Sequence, residues 1–234
     1  MKNYNKKSAF TLAEVLITLG IIGVVAAITI PELIQSNKAA RLHAAFKESY
    51  SIVQQAFKLM EADDVSTDPD DYPTGTFYKT FMNYLKGTID CGASSSSGVK
   101  KTAPCYYASS SNSTDAYTSL DGNKTVAYNW FDDGQIALNN GMLILFENYT
   151  TVDQLWVHVD LNGYNNPPNR WGYDLFTFEF LDGELRTMGD TETTYNDLDK
   201  YCNLDVSNKY NGIACAHYAK VNSDYFKNIV KKVK

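Results

Sequence analysis

The chain has 234 residues, with 44% hydrophobic and 21% charged content, a balance that excludes an intrinsically disordered protein and suits one ordinary domain plus an appendage. Its formal charge is −6, and would be −9 without Lys2, Lys6 and Lys7. That acidity argues against a broad nucleic-acid footprint, which needs clustered Lys and Arg.

No Lys or Arg occurs between Lys7 and Lys38. Within that gap, Phe10 to Ile30 holds a single charge, Glu14, over 21 residues, the length a helix needs to cross a hydrocarbon core of roughly 30 Å. Lysines before the span and an acidic bulk after it predict an N-terminus in the cytoplasm and the remainder outside. A cleaved secretory signal would place small residues such as Ala26 and Ala27 near its cut. The apolar run is long for such a signal, and the helical pattern continues past it.

Beyond Pro31, the residues Leu42, Ala45, Phe46, Ser49, Val53, Ala56, Phe57 and Met60 recur with the spacing of an amphipathic stripe, with Lys47, Glu48, Gln54, Gln55, Lys58 and Glu61 on the other face. One helix is therefore predicted from about Phe10 to Glu61, roughly 78 Å long. Its first half would be bare in lipid and its second half packed on a domain. Pro31 should kink or loosen it near the membrane exit, where Gly20 and Gly23 also weaken it and permit close backbone approach.

Glu14 is the anomaly. A carboxylate within a bilayer costs on the order of 2.5 to 3.5 kcal/mol on insertion scales, so it marks a function and requires a partner. Nothing basic lies within the span; on this reading the partner comes from another molecule or is newly made.

The string KKSAFTLAEVLITLGIIGVVAAITIP, residues 6–31, resembles the signal of type IV pilins and type II secretion pseudopilins: a basic leader, a small residue, then an aromatic, Thr, Leu and a Glu at the fifth mature position. The resemblance implies that a prepilin peptidase cuts between Ala9 and Phe10 and methylates the new Phe10 amine. It also implies that Glu14 of an incoming subunit pairs with the Phe10 amine of its neighbour, a charge costly alone but favourable when paired. Ala9 stands where the family most often has Gly, and Ala13 where many members have a larger aliphatic. The implied partners are the peptidase, other pilin or pseudopilin subunits, a membrane platform protein and inner-membrane lipid before assembly, with no nucleic acid outside a DNA-uptake role.

The resulting organisation is a leader at 1–9, a long helix at 10–61 with its membrane span at about 10–30, and an exported β-rich domain at 62–234. Acidic residues from Asp63 to Asp71, with Pro69 and Pro73, mark the break after the helix. The Ser-rich stretch 92–114 reads as an exposed loop. Cys91, Cys105, Cys202 and Cys215 contain no CxxC pair, which fits disulfides in an oxidising compartment better than zinc. Four cysteines allow three connectivities; proximity in sequence favours Cys91 with Cys105 and Cys202 with Cys215.

Strands are predicted at 125–131, 141–148, 154–161, 174–181 and 184–187, rich in β-branched and aromatic residues and separated by Asp/Asn-Gly turns. Their short spacing makes an antiparallel meander. Packed on the amphipathic half of the helix, it gives an α+β fold, which is also the ladle shape the pilin resemblance implies. The connection VDLNGYNNPPNRWGYDLFTF resembles a DxNG…PNxxGxDxF segment of pseudopilin-like proteins. Its Asp160, Asn162, Asn166, Asn169 and Asp174 offer oxygens of the kind a structural calcium takes. Trp171 occupies the position where an EF-hand needs Glu, and Asn, Asp and Gly also build turns unaided.

Catalytic motifs are missing from the string: His43, His158 and His217 show no metal-ligand spacing, and there is no GxSxG or phosphate-binding glycine loop. The leading reading is a structural subunit of a type IV pilus or type II secretion pseudopilus. The alternatives are a minor pilin acting as a tip adhesin or DNA-capture module, and a membrane-tethered enzyme.

Overall fold

The computed structural model describes residues 10–94, 98–107, 116–149 and 154–233. Helix α1 runs from Leu12 to Ala62 and is unbroken through Pro31. Proline has no N–H to offer the carbonyl one turn back, so it removes one rung of the ladder without ending the helix. The two halves of α1 differ as their compositions require. Ala39, Leu42, Phe46, Ser49, Val53, Ala56, Phe57 and Met60 are buried, whereas the large apolar residues from Phe10 to Ile34 stand exposed. Ala45 is partly buried at the edge of the stripe.

After α1 come a short helix α2 (Phe77–Met82) and strands β1 (Thr88–Ala93), β2 (Gly98–Val99), β3 (Gln135–Leu138), β4 (Leu143–Tyr149), β5 (Gln154–Asp160), β6 (Leu175–Leu181) and β7 (Glu184–Thr187). Helices α3 (Leu198–Tyr201), α4 (Cys215–Val221) and α5 (Tyr225–Lys232) complete the order. Among the described residues, the strands form one antiparallel sheet in the order β2-β1-β3-β4-β5-β6-β7. The α+β arrangement of a long helix on an antiparallel sheet is thus the one the sequence predicts.

Alternation along the strands divides the core. Ile144 and Phe146, Val157 and Val159, and Phe176 and Phe178 face α1, where Phe57 stacks on Phe180 at 4.0 Å and Phe46 meets Phe176 edge-on at 4.9 Å. Helix α5 closes the same layer with Phe226 against His43 and Phe46.

The opposite sheet face is buried too. Leu145, Trp156 and Leu175 pack beneath loops carrying Tyr106, Tyr117, Phe131 and Trp171. Two expectations are corrected by this outer layer. Residues 125–131 form no strand: Tyr128–Trp130 is a 3₁₀ turn, and the segment crosses the sheet with Trp130 stacked on Trp156 at 5.1 Å and Phe131 against His158 at 4.9 Å. Its aromatic richness reflects burial and not ladder pairing. Within the stretch expected as an exposed loop, Cys105 and Tyr106 are buried, because the aromatic layer needs them as cover; residues 95–97 and 108–115 of that stretch lie outside the described residues.

Candidate functional site

Thr11 has extended backbone and caps α1, its side chain accepting from the Glu14 N–H at 3.2 Å. Glu14 answers through one oxygen, Oε2, which accepts from the Thr11 N–H and from the Thr11 hydroxyl, both at 2.8 Å. This reciprocal pair is a capping box, satisfying donors that a helix start leaves open. The chain thus supplies Glu14 with hydrogen bonds from Thr11 but with no cation. The Thr-x-x-Glu spacing was the readable signal for this, since it matches the capping-box pattern.

Phe10 is 88% exposed immediately before the cap. Ala9, the other side of the expected cut, lies outside the described residues together with the rest of 1–9. From Leu12 onward, α1 is long and apolar enough to cross a membrane.

The Asn/Asp connection after β5 gathers Asp160 and Asp174 in the interior, both fully buried. Asp160 Oδ1 accepts from the N–H groups of Asn162 (3.1 Å) and Gly163 (2.9 Å), and Oδ2 accepts from the Tyr117 hydroxyl (2.8 Å). Asp174 takes the Arg170 N–H on Oδ1 (2.7 Å) and the Asn169 N–H on Oδ2 (3.0 Å). Burial pushes both carboxyls up from their ordinary range, and the charge of Asp174 adds to the effect on Asp160. The amides of Asn162 and Asn166 tie the turn further, each donating to the other's carbonyl, while Asn162 Oδ1 and Asn169 Oδ1 are buried without partners. All four carboxylate oxygens already hold a donor from this chain. These bonds close the turn from within the chain.

Cys91 is joined to Cys105 and Cys202 to Cys215, with Cα separations of 5.4 and 5.0 Å. The first disulfide lies in the aromatic outer layer; the second ties the loop after α3 to the start of α4. The histidines are dispersed. His43 stacks on Phe226, buried His158 shares a hydrogen bond with Thr177 Oγ1 at 2.9 Å, and His217 lies 3.9 Å from Asp190.

Residues 4–30 match the family described as the prokaryotic N-terminal methylation motif, which is the prepilin-type motif of type IV pilins and pseudopilins. The match covers 27 of the 234 residues; carried on a long helix packed against an antiparallel sheet, that motif supports a type IV pilin-like or pseudopilin-like protein. The motif implies processing by a prepilin peptidase and assembly with other pilin subunits, and the apolar start of α1 indicates membrane anchoring. No curated protein and no solved structure matches the chain.

Proposed function

We propose that this protein is a structural subunit of a type IV pilus or type II secretion pseudopilus. It is cut between Ala9 and Phe10, held in the inner membrane by residues 10–30 with residues 62–234 on the far side, and then passed into a filament. The observation that carries this reading is the division of one continuous helix. Its second half is built into the domain, while its first half, from Phe10 to Ile34, presents large apolar side chains with no cover from the chain itself. Such a surface is satisfied by lipid before assembly and by neighbouring helices afterwards.

Glu14 would then act at the start of that surface. The Thr11 cap supports this role because it draws the carboxylate back toward the helix start, next to the residue whose amine cleavage frees. In the filament, the Phe10 amine of a neighbouring subunit supplies the positive charge that the chain lacks, and the pairing sets axial register. The oxygen-rich turn between Asp160 and Asp174 serves as a hydrogen-bonded brace of the exported domain on this reading.

The test is Glu14→Val in cells that assemble the filament, scoring precursor cleavage and the amount of subunit in sheared filaments. Intact cleavage with loss of incorporation is expected; normal incorporation would contradict the register role.

A further inference from the structure

The outer layer contains an acidic group that the filament role leaves unused. Asp132, Asp133 and Glu147 each place a carboxylate oxygen within 4.8 Å of the others. The β3–β4 register sets Gln135 opposite Leu145, and continued by two residues it brings Asp133 against Glu147. Like charges directly opposite one another on a sheet are destabilising.

The loop has little freedom to relieve this repulsion. Gly134 has φ 150°, and a Cβ there would meet the Tyr78 ring at 2.4 Å. Asp133 is anchored by its N–H to the Phe146 carbonyl and by its Oδ2 to the Asn148 N–H at 2.9 Å. The Asp132 carbonyl takes the Ser94 N–H at 2.7 Å.

Glu147 gives the second observation. It is only 7% exposed, and its Oε2 is buried with no hydrogen-bond partner. A buried carboxyl group with an unpartnered oxygen, set beside two further acids, is costly when ionised unless something positive neutralises it.

We propose that Asp132, Asp133 and Glu147 bind a hard divalent cation, calcium, that locks the 131–134 loop onto β4. Three oxygens no more than 4.8 Å apart lie within about 2.8 Å of a common centre, a few tenths of an ångström from the roughly 2.3–2.6 Å of calcium–oxygen bonds. An all-oxygen set without His or Cys disfavours zinc. Calcium's tolerance of irregular geometry suits a loop-and-strand site better than magnesium's octahedral demand. Asp132 and Asp133 are half-buried, which leaves a side for water ligands.

The test uses the full chain in detergent micelles after EDTA treatment, titrated with calcium chloride and, separately, with terbium. Trp156 lies directly across the β4–β5 ladder from Glu147 and serves as a sensitiser of terbium emission. Expected are one saturable calcium equivalent, a rise of several degrees in the unfolding midpoint, and terbium emission that calcium displaces. Glu147→Gln should weaken binding at least tenfold while its metal-free midpoint stays at or above wild type, since the neutral isostere removes repulsion. Asp132→Asn provides a second variant with the same expected loss, and Asp174→Asn should bind as wild type. The proposal is overturned by absence of calcium binding, by unchanged affinity in Glu147→Gln and Asp132→Asn, or by loss confined to Asp174→Asn.

Discussion

Glu14 Oε2 sits 2.8 Å from both the backbone nitrogen and the hydroxyl of Thr11, so the acid that would be expensive in lipid is folded back on the first turn of its own helix. Cap and charge can be separated experimentally. Gln at position 14 keeps an oxygen for the Thr11 donors but carries no charge. Glu14→Gln should therefore fail in filament incorporation as Glu14→Val does, while its cleavage stays normal. Near wild-type incorporation of Glu14→Gln, measured as subunit in sheared filaments, would assign the residue to capping alone.

The two disulfides close loops of 14 and 13 residues. In the chain-entropy account, loops of that size stabilise by about 3 kcal/mol each. Non-reducing peptide mapping should recover Cys91 with Cys105 and Cys202 with Cys215, and Cys202→Ser with Cys215→Ser should lower stability by about 2–4 kcal/mol. Cross-linked peptides of any other pairing would contradict the structure.

Phe57 holds α1 to the sheet through its stack on Phe180. Truncation to Ala leaves a cavity that the surrounding rings cannot fill, and Phe57→Ala should cost about 3–5 kcal/mol in denaturant unfolding. Leu59, two residues on, is 51% exposed, and Leu59→Ala should change stability by less than about 0.5 kcal/mol. Equal effects at the two positions would show that α1 does not pack as described.

Buried His158 is held neutral by desolvation, which pushes its pKa down to about 3. Between the ordinary value near 6.5 and that depressed one, the unfolded chain takes up a proton that the folded chain refuses. Stability contributed by the neutral ring is thus complete above the ordinary value and is lost as pH falls through the window, at up to about 1.4 kcal/mol per pH unit. Asp160 and Asp174 titrate in the opposite sense, being favoured at low pH by their raised values. The comparison is therefore made against His158→Gln, whose loss of stability between pH 6.5 and pH 4 should be smaller than that of wild type. Parallel pH profiles would contradict the neutral burial of His158.

How much of this was readable followed from how strongly one constraint shaped each segment. Lipid and core each impose a composition on α1, so 10–61 was predicted and Leu12–Ala62 observed. Aromatic and β-branched runs bounded by Asp/Asn-Gly turns likewise marked β4, β5, β6 and β7 within about two residues. Strands β1 and β3 escaped notice: TIDCGA mixes polar residues into its run, and QIAL is four residues buried on both faces, with no alternation to read. Helices α4 and α5 are too short, at 7 and 8 residues, to declare a period amid Tyr and Asn turn residues. In the N-terminal segment, Glu14 and Pro31 stood out because a membrane makes charge and proline conspicuous, and Phe10 through the resemblance of the string around it. The approach of Glu147 to Asp132 and Asp133 was invisible, since it is created by strand register between residues 14 or more apart.

The mature N-terminus decides the central claim. The chain should be expressed with and without a prepilin peptidase and its N-terminal peptide weighed by mass spectrometry. A peptide beginning at methylated Phe10 is expected only when the peptidase is present. Cleavage near Ala26 or Ala27, or an uncut chain in the presence of the peptidase, would contradict it.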